Sequence, residues 1–104
     1  MDTLRRLEAT ITQRLAADPG SSYVASLKAR GLPVLARKLG EEATETVIAA
    51  LAGTEAELVG EAADVLFHLT VLLAAKGVTL DQVMSELDRR EGTSGLVEKA
   101  NRSA

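Results

Sequence analysis

Apolar residues recur at helical spacing along most of the chain. In the first segment Leu4, Leu7, Ile11 and Leu15 lie on one side of a helix over residues 3–17, because steps of three and four residues match 3.6 residues per turn. No segment alternates apolar and polar residues with the period of two that a half-buried strand shows. The pattern predicts an all-α protein, a helical bundle of about five helices.

Proline, glycine and capping residues predict where the other helices begin and end. Pro33 suits the first position of a helix, and Gly31, Gly53 and Gly77 suit helix ends. The patterns T-x-x-E at 54–57 and T-x-x-Q at 79–82 predict capping boxes, which satisfy the first amides of a helix. The predicted helices cover about residues 3–17, 22–30, 33–52, 54–76 and 79–90.

The fourth predicted helix is apolar on nearly every side. Its large apolar residues are Leu58, Val59, Val65, Leu66, Phe67, Leu69, Val71, Leu72 and Leu73. A helix with this pattern is normally buried, and 104 residues hardly suffice to surround it. We therefore expect a second subunit to cover part of it, so that oligomerisation completes the bundle. The alternative is the central helix of a monomeric bundle.

Composition narrows the possible functions. The chain has no cysteine, which excludes disulfides, cysteine-ligated zinc and thiol catalysis. Two aromatic residues and a net charge of −3 give no basis for binding nucleic acid or an anionic membrane. The uninterrupted apolar runs, such as 47–52 and 71–75, are far shorter than a membrane span. The N-terminus lacks the apolar segment of a signal peptide. We expect one cytoplasmic domain over residues 1–104.

Acidic residues lie on one side of each long helix. The stripe on the third helix holds Lys38, Glu42 and Glu45, with Glu41 at its edge, and the stripe on the fourth holds Glu61, Asp64 and His68. The fourth helix is otherwise so apolar that its acids need either a cationic partner or a bound cation, because an unpaired buried carboxylate is costly.

The two stripes are expected to meet in an antiparallel helical hairpin. Glu45 and Glu61 each lie eight residues from Gly53, and Glu42 and Asp64 each lie eleven residues from it. Equal rise per residue puts each pair at one height, so four carboxylates converge within about one helical turn. All-oxygen ligation favours Mg²⁺ or Mn²⁺, and the E-x-x-H repeat of a di-iron site is absent. The alternative is salt bridges to Lys38 and neighbouring arginines.

Lys38 and His68 flank the four acids and are candidates for further roles at this site. A Mg²⁺ ion held by carboxylates keeps open positions that suit a phosphate-bearing substrate, and Lys38 on the same side would offset phosphate charge. His68 has two interpretations. It is either a structural hydrogen-bonding residue or, less in keeping with its apolar surroundings, a catalytic one.

The strings RKLGEEATE at 37–45 and EAADVLFH at 61–68 resemble the E-x-x-E…E-x-x-D signature of the all-α nucleoside triphosphate pyrophosphohydrolases, the MazG-like superfamily. Within it, the chain is similar to the phosphoribosyl-ATP pyrophosphohydrolase family, as the strings SYVASL at 22–27, VLL at 71–73 and RREGTSG at 89–95 indicate. The resemblance covers nearly the whole chain. Val24 stands where a threonine is expected and Phe67 where tyrosine is common.

The resemblance implies Mg²⁺-dependent hydrolysis of 1-(5-phosphoribosyl)-ATP to 1-(5-phosphoribosyl)-AMP and pyrophosphate, the second step of histidine biosynthesis. It also implies a homodimer or an assembly of dimers, with sites near the subunit interface. Residue by residue, it makes Glu42, Glu45, Glu61 and Asp64 the metal ligands, with Glu41 as the extra acid of the motif.

Roles for other residues follow from the chemistry of this reaction. Glu41 and Glu45 are the candidates for the base that takes a proton from water, and Lys38 would stabilise the departing pyrophosphate. Four residues, Arg89, Arg90, Ser94 and Lys99, are candidates for binding the ribose phosphates. Alternatively, the two arginines only complement the C-terminal dipole of the last helix.

Two other functions remain open. A house-cleaning dNTP pyrophosphatase would share the four acids but would not need the segment from Arg89 to Lys99, so truncation after Arg90 discriminates between the enzymes. A non-catalytic helical oligomerisation module would lose no stability when Glu42 or Asp64 became alanine, and Mg²⁺ would not affect its melting.

Overall fold

The computed structural model describes residues 2–91, and α-helices occupy most of this range. The helices are α1 (Asp2–Leu15), α2 (Tyr23–Arg30), α3 (Leu32–Ala52), α4 (Glu55–Ala75) and α5 (Leu80–Glu91). A single 3₁₀ turn, Pro19–Ser21, lies between α1 and α2. Residues 2–91 contain no strand, so the prediction of an all-α fold with five helices is confirmed.

The first helix is shorter than its apolar pattern predicts. The amides of Ala16 and Ala17 donate to carbonyls three residues back, which ends the α-helical bonding at Leu15. The break after it is also more ordered than a plain loop, because both the amide and the hydroxyl of Ser21 donate to the carbonyl of Asp18, at 2.9 and 2.8 Å.

Both predicted capping boxes are present. The Thr54 amide donates to Glu57 Oε1 at 2.8 Å, and the Glu57 amide donates to Thr54 Oγ1 at 3.1 Å. Thr79 and Gln82 repeat this exchange at 2.8 and 3.1 Å. These bonds satisfy amides that have no partner within the helix, which fixes the first residues of α4 and α5.

Helices α3 and α4 form the long antiparallel hairpin, with Gly53 at its turn. The Gly53 amide donates to the Ala49 carbonyl at 2.9 Å. A Cβ at Gly53 would lie 3.0 Å from the Ala49 oxygen and 3.1 Å from its Cα, so the close approach at this turn requires glycine. The turn is therefore tight, and it sets the register in which the two acidic stripes meet.

The hydrophobic core lies at one end of this hairpin. Helices α1 and α2 pack there against the first turns of α3 and the last turns of α4. The buried cluster consists of Ile11, Val24, Leu27, Leu35 and Val71. Burying such side chains is worth roughly 1.5–3 kcal/mol each, so this end holds most of the packing of the chain. We call it the packed end.

The other end of the hairpin, with its turn at Gly53, is largely uncovered within one chain. Leu51 is 84% exposed, and Val47, Ile48 and Val59 are also exposed. The expectation that α4 is buried all round is therefore not met by this chain alone. The buried residues of α4 are His68, Thr70 and Val71, and they lie in its second half. We call residues 46–60 the open end.

Helix α4 is also long and apolar enough, by length and composition, to cross a membrane. Looking only for uninterrupted apolar runs missed this property, because acids and a histidine interrupt the pattern. The same helix turns an acidic stripe towards α3 and packs its second half into the core. Within the described chain, 17% of its apolar window is buried.

Helix α5 is attached to α1 by polar contacts. Glu8 Oε2 accepts a 2.7 Å hydrogen bond from the Leu80 amide at the first turn of α5, and Arg5 forms a 2.9 Å ion pair with Asp81. Because a carboxylate is favourable at a helix N-terminus, Glu8 both caps α5 and fixes its position.

Candidate metal and phosphate site

The hairpin brings three of the four predicted carboxylates into one cluster. One carboxylate oxygen from each of Glu42, Glu45 and Glu61 lies within 4.8 Å of the others. Asp64 lies outside this trio but close enough for its charge to raise the pKa values of Glu42 and Glu61. We call these four residues the acid cluster. The acids of α3 and α4 that lie at equal distances from Gly53 in the sequence are thus close together in the structure, as expected.

Two oxygens of the acid cluster are buried without compensation. Glu42 Oε2 and Glu61 Oε2 have no hydrogen-bond partner within the part of the chain that the structure describes. An unpartnered buried carboxylate oxygen is expensive. The donors are all oxygens, which is the ligand type that Mg²⁺ and Mn²⁺ prefer. The residues present therefore fit a hard divalent cation.

Repulsion among the carboxylates of the acid cluster also raises the pKa values of Glu61 and Glu42. A hydrogen bond with Glu45 raises the pKa of Glu61 to about 7, and burial and the charges of Glu45, Glu42 and Asp64 act in the same direction. Burial raises the pKa of Glu42, as do the hydrogen bond and charge of Glu45, while His68 opposes this rise. Like charges at close range disfavour ionisation, so a proton is held in the cluster near neutral pH unless a cation replaces it.

A cavity of about 420 Å³ opens between α3 and α4 beside the acid cluster. Glu45, Glu61 and Asp64 line one end of it, and small or apolar residues line the rest, namely Ile48, Ala49, Ala52, Gly53 and Gly60, together with Glu57. This size suits a small-molecule ligand. The cavity offers anionic ligands for a cation at one end and apolar surface at the other.

The two remaining charged candidates on α3 lie beside the acid cluster rather than within it. Glu41 Oε1 is 3.9 Å from Lys38 Nζ, and Glu41 Oε2 is 3.7 Å from Arg37 Nε. The structure therefore places Glu41 between two cations. This arrangement is the salt bridging that the sequence left open as an alternative for the acids, and here it applies to Glu41.

The environment of His68 favours its structural interpretation. The side chain is buried, and its Nδ1 donates to the Asp64 carbonyl at 2.8 Å. Its Nε2 lies 3.5 Å from the Tyr23 hydroxyl, within hydrogen-bond distance. The ring also meets Phe67 edge to face, with centroids 5.1 Å apart. Both ring nitrogens thus have partners that hold the last turn of the acidic stripe in place.

The predicted phosphate-binding arginines are held by an acid of their own helix. Arg89 donates to both oxygens of Glu86, at 2.9 and 2.7 Å, and Arg90 donates to Glu86 Oε2 at 2.8 Å. These bonds lower the pKa of Glu86 to about 2. The other two candidates, Ser94 and Lys99, lie outside the described residues.

Sequence reasoning missed Tyr23, Ile48 and Gly60 as neighbours of the site. Tyr23 comes from α2 and reaches His68 across 45 positions of sequence, which no local pattern indicates. Gly60 could have been singled out from the sequence, because glycine inside a helix is unfavourable. In the structure a Cβ at Gly60 would meet no atom of the described residues within 4 Å, so packing does not require the glycine.

Comparison with known proteins identifies the class first. The spacing of the acids about Gly53 predicted this acid-lined α-helical hairpin, and the family model described as phosphoribosyl-ATP pyrophosphohydrolase matches residues 4–91. The chain belongs to this family.

Individual relatives agree along almost the full length. A phosphoribosyl-ATP pyrophosphatase of Erythrobacter litoralis is 71% identical over 102 residues, covering 98% of each chain. Proteins with the same name from Novosphingobium aromaticivorans and Cereibacter sphaeroides are 64% and 58% identical. These two alignments cover 98% of this chain and 95% and 99% of the relatives.

Proposed function

We propose that this protein hydrolyses 1-(5-phosphoribosyl)-ATP to 1-(5-phosphoribosyl)-AMP and pyrophosphate, the second step of histidine biosynthesis. The observation that carries the proposal is the convergence of Glu42, Glu45 and Glu61, with two buried oxygens that lack partners, in a chain of this family. A phosphoanhydride substrate needs positive charge on its oxygens, and a cation held by these acids provides it.

We propose Glu42, Glu45 and Glu61 as ligands of Mg²⁺, with Asp64 completing the set and Mn²⁺ as a substitute. A bound ion of this kind supplies charge neutralisation on phosphate oxygens and a lower pKa for coordinated water. Its positive charge would also remove the repulsion that raises the pKa values of Glu42 and Glu61. The cavity beside the cluster leaves room for the substrate on the same side.

In the proposed reaction a water oxygen forms a bond to phosphorus while the bridging bond to the pyrophosphate group breaks. The water gives its proton to a carboxylate. Of the two candidates we favour Glu45 over Glu41. Glu41 is balanced by Arg37 and Lys38, whereas Glu45 lies in the acid cluster and lines the cavity. Lys38 then stabilises the charge of the departing pyrophosphate.

The end of α5 is proposed to bind the phosphate of the added ribose. Arg89 and Arg90 are held side by side by Glu86, and guanidinium groups bind phosphate oxygens in a forked geometry. Ser94 and Lys99, further along the chain, supply further donors in this proposal. Their contribution is tested by truncation after Arg90, which is expected to weaken binding of phosphoribosyl-ATP more than that of a dNTP.

Pyrophosphate release is the direct test. Purified protein is assayed with phosphoribosyl-ATP and with a panel of dNTPs, each with and without Mg²⁺. We expect metal-dependent release from phosphoribosyl-ATP alone. Release from the dNTPs instead would assign the acid cluster to a house-cleaning pyrophosphatase, and no release from any substrate would favour a non-catalytic helical module.

We further propose a homodimer, in which a second copy covers the open end. Leu51 and Val59 are 84% and 64% exposed, and Val47 and Leu66 extend the same uncovered apolar surface. Exposed apolar area of this kind normally marks an interface. Sedimentation of the wild type is expected to give a dimer or an assembly of dimers, and Leu51→Asp is expected to shift it towards monomer.

The proposed setting of this activity is the cytoplasm, with residues 1–104 acting as one domain. The substrate is a small phosphorylated metabolite, and neither a nucleic acid nor a membrane is part of the proposal. A fluorescent fusion in a bacterial host is expected to give diffuse signal and to complement loss of the histidine-pathway enzyme. Enrichment in the membrane fraction would contradict this assignment.

A further inference from the structure

A second depression lies on α3 next to the acid cluster. It has a volume of about 530 Å³ and is lined by Arg37, Gly40, Glu41, Thr44 and Glu45. Glu45 lines both this depression and the hairpin cavity. The depression therefore continues from the acid cluster along α3 towards its N-terminus, on a surface for which the proposed reaction has so far assigned no ligand.

The floor of the depression is open because residue 40 is a glycine. Glycine in the interior of a helix is less favourable than alanine. A Cβ at Gly40 would meet no atom within 4 Å in the described structure, so packing there does not require glycine. The absent side chain instead leaves space above the helix between Arg37 and Thr44.

Among residues 2–91, Arg37 is the one cationic residue that lines the depression, beside the carboxylates of Glu41 and Glu45. Its side chain is 58% exposed, and its Nε lies 3.7 Å from Glu41 Oε2, an ion-pair distance longer than a hydrogen bond. The planar guanidinium has five N–H donors in a fork that matches phosphate oxygens. Glu41 also lies 3.9 Å from Lys38 Nζ, so one carboxylate holds both cations beside the acid cluster.

We propose that Arg37 binds a phosphate group of the substrate in this depression and that Glu41 is the positioning residue for Arg37 and Lys38. The inference rests on the proposed function, whose substrate carries a triphosphate and a separate ribose phosphate. The acid cluster alone repels such a substrate, and cations beside it offset that repulsion. Arg37 precedes Glu45 by eight residues, which is about 12 Å along the helix axis, within the span of a multiply phosphorylated nucleotide.

The test compares the KM for phosphoribosyl-ATP in the wild type, Arg37→Ala, Arg37→Lys and the control Arg14→Ala, which removes an exposed arginine from α1. We expect Arg37→Ala to raise KM about tenfold or more, since a charge-assisted hydrogen bond is lost. Arg37→Lys should lose less, because the charge remains without the fork. Arg14→Ala should match the wild type, and the effect of Mg²⁺ on melting should be unchanged in all four proteins.

Competition identifies which phosphate Arg37 contacts. Inhibition by inorganic tripolyphosphate weakens in Arg37→Ala if the contact is to the triphosphate, and inhibition by ribose 5-phosphate weakens if it is to the ribose phosphate. Gly40→Met, whose Cβ would meet no described atom within 4 Å, should also raise KM because its side chain occupies the floor of the depression.

Two results would overturn the inference, namely a KM for Arg37→Ala within about twofold of the wild type, or unchanged inhibition by both compounds. A wild type that releases no pyrophosphate would refute the proposed function instead, so the two failures are distinguishable.

Discussion

The packed and open ends of the α3–α4 hairpin are built from similar apolar residues and serve different purposes. At the packed end Leu27, Leu35 and Val71 are at most 3% exposed. At the open end Leu51 is 84% exposed. The acid cluster lies between them, anchored on one side by a complete core and bordered on the other by surface that a single chain leaves uncovered.

This difference shows how a small chain can hold a cluster of carboxylates whose mutual repulsion is unfavourable. Carboxylates that repel one another need rigid supports, and the packed end provides them through α1 and α2. The cavity between α3 and α4 leaves the acid cluster open on one side. Stability and function are therefore expected to respond differently to changes at the two ends.

The largest expected effect is loss of core packing. Leu27→Ala at the packed end should lower the free energy of unfolding by about 2–5 kcal/mol, because a fully buried side chain leaves a cavity. Leu51→Ala at the open end should change it by less than about 0.5 kcal/mol when the protein is dilute enough to be monomeric. Urea denaturation measures both, and equal losses would contradict the contrast between the ends.

Removal of an acid-cluster residue should affect activity more than stability. Glu61→Gln is expected to lower kcat/KM about 100-fold or more, since the metal site loses a charged ligand. Glu55→Gln, an exposed acid on the same helix, is the matched control and should retain wild-type activity. Full activity of Glu61→Gln at saturating Mg²⁺ would show that the cluster is not the metal site.

The pH dependence of stability follows from the raised pKa of Glu61. Its pKa is about 7 in the folded protein against 4.5 for an unperturbed glutamate, so the folded state binds the proton more tightly. The resulting stabilisation is present below pH 4.5 and is lost as pH rises to about 7. We expect the metal-free protein to lose melting temperature across this window.

Mg²⁺ should reverse that loss. At a concentration of 100 times its Kd, an ion that binds only the folded state adds about 2.7 kcal/mol. The stabilisation should be larger at pH 8 than at pH 5, where protons compete for the carboxylates. An equal effect of Mg²⁺ at both pH values would argue against binding at these acids.

The smallest expected changes in stability come from replacing two glycines by alanine, and the two changes have opposite signs. Gly60→Ala at the open end should stabilise the protein by about 0.5–1 kcal/mol, because its Cβ enters open space in a helix. Gly77→Ala, where φ is +73°, should destabilise it by about 1–2 kcal/mol through backbone strain. Thermal melting of both variants tests whether open space or backbone conformation decides each case.

Features that depend on residues close together in the sequence were predictable. The capping boxes at Thr54 and Thr79 are local patterns, and both are present. The meeting of Glu45 with Glu61 was also predictable, because a tight turn and a constant helical rise leave little freedom in the register.

Contacts between distant segments were not predictable. The cap that Glu8 provides for α5 joins residues 72 positions apart, and no spacing rule links them. The position of Glu41 was also beyond the helical wheel, which put it at the edge of the acidic stripe, because two side-chain ion contacts turn its carboxylate towards Arg37 and Lys38. The wheel fixes the direction of a side chain at the helix surface but not its partner.

The most direct test of the acid cluster as a cation site is calorimetric titration of Mg²⁺ in two buffers with different ionisation enthalpies at pH 6. We predict binding with proton release, because the cation displaces the proton held by Glu61, whose pKa is about 7. The release should fall towards zero by pH 9, and Glu61→Gln should weaken binding while Glu55→Gln should not. Binding of equal strength in Glu61→Gln, or binding without proton release at pH 6, would contradict the site.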